Sequence, residues 1–577
     1  MEHWQMESLY GNVDSPRFQA DLKREVELAR KLQADLENPG QDFVEALDRY
    51  QDILDIDETL EAFASCMQST DTKSALFAKG VSQAEEAALA VDDLEVHILL
   101  FVQKRKDEVA ELTRKGGKLE AYAFVLGEML EQAGHTMSPE LENLASDLGR
   151  SGTDAFSRLQ DTVSSQAEIE WGDGKRTGTQ LRGYAFSPDR ELRRVAFERE
   201  IALWKEHAPA FAAALNGVKG ATITLDGRRG WKSPLERSVS QSRLDPATFH
   251  ALIDTLKESL PVFRRYLAVK AKALGLEKLA FYDLFAPVGE GSTRYTYGEA
   301  QEFVVRQVSA FSPRMGRFMQ DAFRKGWVDP MPHAGKVGGA FDTAFPLFRE
   351  SRVLANFDGT YNGVSTFAHE LGHAFHDSIV LPLSSLLRTY PMTLAETASI
   401  FSEFVTLKGA LKESSTKGER VMLEDQFLQN ACQVCVDILS RFLFEDEVFR
   451  LRREGEIPVD TLCEVMVKAQ EDTYGPLSVY HPYMWTMKSH YYSSDFSYYN
   501  YPYAFGQLFG LGLYRVYEAD PARFEEKYVT LLSATGSHDA ATCAASIGLN
   551  IKDKRFWEES VSVIQGFVEA FAHDCAN

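Results

Sequence analysis

His369 and His373 stand four residues apart in the run Thr366-Phe367-Ala368-His369-Glu370-Leu371-Gly372-His373-Ala374-Phe375-His376, with a carboxylate directly after the first histidine. On a helix that spacing stacks both imidazoles on one face, where they can reach a single metal ion, and Glu370 then leans toward a water bound to that ion. The chemistry is hydrolysis by metal-activated water, with Glu370 as general base. A His-Glu-x-x-His string arises by chance in a chain of this size on the order of a few per cent of the time, so its surroundings must decide. They are apolar: Val364, Phe367, Ala368, Leu371, Ala374 and Phe375 would bury the helix. Two histidines and a glutamate buried there are costly unless something satisfies them, and a metal ion is the simplest satisfier.

A catalytic zinc takes three protein ligands and keeps one position for water. Downstream, residues 393–403 read as a second helix, with Leu394, Ala398 and Phe401 on one face and with Glu396 and Glu403 seven residues apart. Glu396, 22 intervening residues after His373 and beyond a loop holding Pro382 and Pro391, is the expected third ligand. Glu403 suits the task of orienting a ligand imidazole, and equally that of an ordinary partner for an arginine.

The run Arg352-Val353-Leu354-Ala355-Asn356-Phe357-Asp358-Gly359, the His369 to His376 segment and Ala395-Glu396-Thr397-Ala398-Ser399 together resemble the oligoendopeptidase F branch of the thimet oligopeptidase family. Phe281-Tyr282-Asp283-Leu284, Gly326-Trp327-Val328-Asp329, Gly338-Gly339-Ala340-Phe341, Arg441-Phe442-Leu443-Phe444-Glu445 and a tyrosine-rich block near residue 500 follow in the same order. The likeness is strongest from Leu181 onward. It implies a mainly α, two-lobed helical metallopeptidase of the zincin type, with a small β-sheet beside the active-site helix and a deep substrate cleft. It implies one zinc per chain and short unstructured peptides as substrates. It also places His490, Tyr498 and Tyr501 at substrate and oxyanion positions, with the choice among Tyr498, Tyr499 and Tyr501 left open by a small difference in length.

Composition sets the outer bounds. The 577 residues, 44% of them hydrophobic, can bury large cores. Against 62 basic residues stand 85 acidic ones, a net charge of −23 that disfavours nucleic acid and anionic membrane as partners. Six cysteines are too sparse for a disulfide framework, and Cys432-Gln433-Val434-Cys435 lacks the second pair a zinc site needs. There is no signal-peptide pattern at the start and no apolar run of membrane-spanning length, so a cytoplasmic setting is expected.

The elements that must hold these residues are mostly helices. Ser15 before Pro16 is a helix entry, and Phe18, Leu22, Val26, Ala29, Leu32 and Leu36 recur at helical steps. Similar periodicity runs through residues 84–112 and 120–133, giving an N-terminal helical lobe over 1–180, with the catalytic domain over 181–577. Asp173-Gly174 predicts a small hairpin near that boundary. Helices are expected again over 189–204, 207–218 and 246–274, the last interrupted at Pro261. Residues 352–357 read as a strand whose open edge could pair with an extended peptide, an interior strand being the other reading. In the tyrosine-rich block any one ring is more often core than chemistry, whereas O–H or N–H donors aimed at a developing oxyanion would lower the barrier. The resulting reading is a zinc endopeptidase. An exopeptidase and a zinc-containing peptide-binding protein without turnover are the other readings, the latter disfavoured because a purely structural site has no use for Glu370.

Overall fold

Residues 3–289 and 293–576 are described by a computed structural model, 72% helix and 4% strand. The chain forms two compact units, each assembled from three segments. The first comprises Met1–Gly134, Thr293–Gly409 and Leu513–Leu549, and the second His135–Ser292, Ala410–Gly512 and Asn550–Asn577. Compactness therefore cuts the chain differently from the division expected at residue 181, because helices distant in sequence complete each core.

In the first unit, Ser15 caps the helix Pro16–Leu36 by accepting from the Phe18 N–H, and Phe18, Leu22, Ala29 and Leu32 form its buried stripe. This helix packs with Phe43–Thr70 and Ala75–Lys104. Phe18 and Phe63 share a core with Phe345 and Leu354, so the N-terminal helices cover a small sheet.

The described strands are β1 (Glu168–Trp171), β2 (Gly174–Thr177), β3 (Val328–Asp329), β4 (Phe341–Phe345) and β5 (Glu350–Leu354). β1 and β2 form the expected hairpin, with Trp171 opposite Gly174. The other three make one sheet in the order β3-β5-β4, with β5 parallel to β3 and antiparallel to β4. β5 is thus the central strand, and the open edge expected at residues 352–357 is not there. Its backbone is spent on both neighbours, and the Arg352 side chain is fully buried, donating to the Gln5 carbonyl and the Ser8 hydroxyl. The edge beside the metal motif belongs to β4.

The motif lies on the helix Tyr361–Val380, whose N-terminus is capped by Thr360 accepting from the Gly363 N–H. β4 and β5 pack against this helix. The helix Met392–Glu413 crosses it at Gly372, where a Cβ would sit 2.7 Å from both the Ala398 carbonyl oxygen and the Ser399 Cα. A hydrogen in place of a methyl is what allows the two backbones to touch.

In the second unit the helices expected over 189–204 and 207–218 are one, Arg190–Arg228, which runs through Pro209. Pro246–Ala273 likewise runs through Pro261 without the expected break. Lys257, whose carbonyl loses its partner at Pro261, is exposed, as is Pro261, so the break in the ladder lies on the solvent-facing side of the helix. Cys432 and Cys435 are buried free thiols flanking the start of a π-turn, Gln433–Asp437, between Lys417–Cys432 and Ile438–Arg452.

Glu200, buried on the long helix, ties the loop before the tyrosine block to that helix. It accepts from Arg182 and from the Trp204 indole, each at 3.2 Å, and His481 lies 3.4 Å away. Burial alone would raise its pKa, but Arg182, His481 and Trp204 outweigh burial and hold the carboxyl down to about 2. A depressed carboxyl stabilises the fold above its unfolded pKa, and that contribution is lost as pH falls toward the folded value.

Two outcomes are expected. Glu200→Gln should cost about 3 kcal/mol at neutral pH, and its gap from wild type in urea unfolding should close as pH drops from about 5 to about 2. Gly372→Ala should force the two helices apart at a cost of about 1–3 kcal/mol and weaken metal uptake, read by thermal unfolding and metal titration.

Candidate metal centre

One turn of helix separates His369 from His373, and their rings meet edge to face with centroids 5.0 Å apart. Glu396, brought over by the contact at Gly372, sets its Oε2 3.4 Å from His369 Nε2 and 3.5 Å from His373 Nε2. Tetrahedral ligands at bond lengths near 2.0 Å lie roughly 3.3 Å from one another, so these three atoms already outline the face of a zinc coordination shell. Three ligand atoms, one from each residue, fall within 4.8 Å of one another. The donor set fits a zinc ion.

Each of the three side chains meets a neighbour. His369 Nδ1 lies 3.3 Å from Glu403 Oε2, which leaves Nε2 facing Glu396. Glu403 thus meets an imidazole, the contact that its orienting reading requires. His373 is hydrogen-bonded to the backbone of Ala395, and Ser399 Oγ donates to Glu396 Oε2 at 2.6 Å.

Without a cation the charges here do not balance. Burial disfavours a charged His369, yet the Glu403 hydrogen bond and the carboxylates of Glu396 and Glu370 reverse this and raise its pKa to about 9. His373 is pushed the other way, by burial and by its charged neighbour, although Glu396 opposes the shift. The carboxylates thus hold one proton where a dication would serve them better.

Glu370 is 8% exposed and is not one of the three ligand-set residues. Burial chiefly, with Glu396 and Glu403 adding to it and His369 opposing, raises its pKa to about 7, the range in which a carboxyl exchanges protons at neutral pH. A backbone hydrogen bond from Asp342 on β4 reaches its carboxylate, so the edge of β4 faces the general-base candidate. Spacing carried no signal for Asp342, because a strand position is matched to a helix position only by the fold.

Behind the helix lies a second layer. The Asp342 and Asp377 carboxyls are neighbours, and burial pushes both above the ordinary carboxylate range. Ser351 and Tyr390 donate to Asp377, and the Tyr390 ring stacks on His376 at 4.2 Å. His376, the third histidine of the motif, is fully buried against Thr535, and burial holds its pKa down to about 3. It is not one of the three residues whose ligand atoms converge.

His490, Tyr498 and Tyr501 lie in the second unit. The Tyr501 hydroxyl donates to the Ser238 carbonyl or the Ser242 hydroxyl, at 3.0 and 2.8 Å, and its ring is buried. The Tyr498 hydroxyl donates to Asp446 at 2.9 Å, and its ring stacks on Phe449. Both hydroxyls are committed to neighbours within that unit. His490 stacks on Tyr499 at 4.6 Å, its Nδ1 has no hydrogen-bond partner, and burial with Arg441 and Lys488 lowers its pKa to about 4, so it is neutral at pH 7.

Residues 184–563 match the model of Peptidase family M3, and residues 102–168 match that of Oligopeptidase F. Oligopeptidase PepF of Bacillus subtilis is 22% identical over 554 residues, covering 92% of this chain and 81% of that protein. An oligoendopeptidase F homolog of Lactococcus lactis subsp. lactis is 22% identical over 549 residues, 89% of this chain and 88% of its own. The crystal structure of oligoendopeptidase-F from Enterococcus faecium superposes with a TM-score of 0.69 at 18% identity, covering 96% of this chain and 97% of that one. Among the described residues no helix is long and apolar enough to cross a membrane.

The Glu403 contact can be tested directly. Glu403→Ala should lower metal affinity by about 10–100-fold, with Glu403→Gln retaining more of it, read by competition against a chelating dye.

Proposed function

Because this chain belongs to peptidase family M3, we propose that it is a zinc metallopeptidase hydrolysing internal bonds of short, unstructured peptides. The observation that carries the reading is the pre-assembled triangle of His369, His373 and Glu396 with the buried Glu370 beside it. One zinc ion held by that triangle would supply Lewis acidity, polarising a peptide carbonyl and acidifying a water.

The residues of the chain do the rest. Glu370 takes the proton from the attacking water onto its carboxylate and then passes it to the departing amine, a relay suited to a carboxyl poised near neutral pH. Glu403 keeps His369 in the tautomer that presents Nε2. β4 pairs with the sheet on one side only, and an extended peptide can add to its other edge through backbone hydrogen bonds, which need no particular side chain. Edge pairing demands an extended segment, which a short peptide offers and a folded domain does not. The relatives' names, oligopeptidase and oligoendopeptidase, agree with that preference. For His490 the resemblance suggests a donor role toward substrate, and its neutral, partly unpartnered ring fits one. Tyr498 and Tyr501 are left out of this assignment because their hydroxyls are already engaged.

Glu370→Gln should retain its zinc and lose turnover by roughly 10²–10⁴-fold, while His369→Ala should lose the metal. Wild-type activity in Glu370→Gln would reject the mechanism. The same preparations assayed on a peptide blocked at both ends, and on that sequence in a loop of a stable folded host, should cleave only the free peptide. Cleavage that requires a free terminus would instead mark an exopeptidase.

A further inference from the structure

A second group of metal-ligating side chains lies in the first unit, apart from the residues used above. His3 comes from the N-terminal segment, Asp329 from β3 and His333 from the β3–β4 connection, and three ligand atoms, one from each, fall within 4.8 Å of one another. We propose that these three residues form a second metal site, for a borderline divalent cation such as zinc, which clamps the N-terminal segment onto the sheet. This goes beyond the hydrolytic reading and does not rest on it.

Asp329 is fully buried, and its two carboxylate oxygens are treated differently. Oδ1 accepts from Lys336 Nζ at 2.7 Å, and Lys336 spends its other contacts on the carbonyls of Asp329, Met331 and Ala355. Oδ2 has no hydrogen-bond donor. Facing it is His3 Nδ1 at 3.6 Å, too far for a hydrogen bond and close to the separation of two ligands on one ion. An unpaired carboxylate oxygen buried below two imidazoles is costly as it stands, and a cation removes that cost.

The histidines are arranged to receive one. Their rings meet edge to face at 5.5 Å and 80°, the disposition of His369 and His373 at 5.0 Å and 80°. His333 Nδ1 lies 3.3 Å from the Ala334 carbonyl, and donation there leaves the lone pair on Nε2. Two neutral imidazoles and one carboxylate are the ligand classes of zinc and of cobalt(II), not of magnesium or calcium. Because Lys336 already neutralises half of Asp329, this site binds more weakly than the His369 triangle and empties first under a chelator.

The consequence is mechanical. Residues 3–13 already touch the sheet region through Gln5, whose N–H donates to the Gly326 carbonyl and whose carbonyl accepts from Arg352. A metal bound to His3 adds a closure at the segment's end and fixes the chain leading to β4.

The test is a cobalt(II) titration of the chelator-stripped full chain, followed by d–d absorption, with zinc equilibrium dialysis in parallel. Wild type should take two equivalents. His3→Ala and His333→Ala, both at exposed positions, should each take one and keep wild-type peptide turnover. His373→Ala should also take one, and that remaining equivalent should vanish when His333→Ala is added. A single equivalent in wild type, or two in both His3→Ala and His333→Ala, would overturn the second site and leave the His369 triangle untouched.

Discussion

Glu396 reaches both imidazoles only because two helices touch at Gly372. The glutamate arrives from another helix, and no side chain at that crossing would let it come so close, since a Cβ meets backbone at 2.7 Å on two sides. Backbone cannot swing aside as a long side chain can, so the contact admits glycine and little else. Everything around it keeps the two helices pressed together. Phe367, Leu371, Ala374 and Phe375 are buried on one, Leu394, Ala398 and Phe401 on the other, and β4 and β5 back the first. The metal triangle is thus a product of helix packing, held at the tolerance of that packing.

What could be read from the sequence follows from the range of each interaction. His369, Glu370 and His373 were legible because one turn of helix fixes their relation whatever the rest of the chain does. Ser15 and the hairpin near residue 173 were legible for the same reason, a cap and a two-residue hairpin being closed locally, although the turn falls at Gly172-Asp173, one residue before the expected Asp173-Gly174. Glu396 needed one further step, a second helix folding back across a proline-containing loop. Sheet order lay beyond local reasoning, since apolar residues 352–357 suit an edge strand and a central strand alike, and only pairing with residues 328–329 and 341–345 distinguishes them. Pro261 misled in another way. A proline breaks a helix where the orphaned carbonyl is buried, and that carbonyl's exposure is a property of the packed unit.

The tyrosines show the limit of residue type as evidence. A hydroxyl in an aromatic-rich block is a candidate donor until its partners are known, and Ser238, Ser242 and Asp446, which engage Tyr501 and Tyr498, lie far away in sequence. Asp342 is the converse case. Nothing in its spacing marked it, yet it offers its backbone to Glu370 and its carboxyl to Asp377, joining the strand edge to the helix Tyr361–Val380 at two places.

Buried carboxylates in this chain are reconciled with burial in three ways. Some meet a lysine or an arginine, as in Lys270–Asp425 at 3.0 Å, Lys219–Glu445 at 2.6 Å and Arg182–Glu200 at 3.2 Å, where the charges cancel. Others lie beside a second carboxyl, as Asp342 does beside Asp377 and Glu25 beside Asp57, and burial pushes all four above the ordinary carboxylate range. The third class faces imidazoles with no ammonium or guanidinium on the oxygen concerned: Glu396 between His369 and His373, and Asp329 Oδ2 beside His3. An imidazole serves as a counterion for a carboxylate only while it holds its second proton. It is a good companion for a carboxylate on a metal, where the ion supplies the positive charge and the neutral ring supplies a lone pair. The choice of histidine over lysine at these two places, in a chain that uses lysine elsewhere for the same task, is the physical mark that separates a place for a cation from an ordinary ion pair.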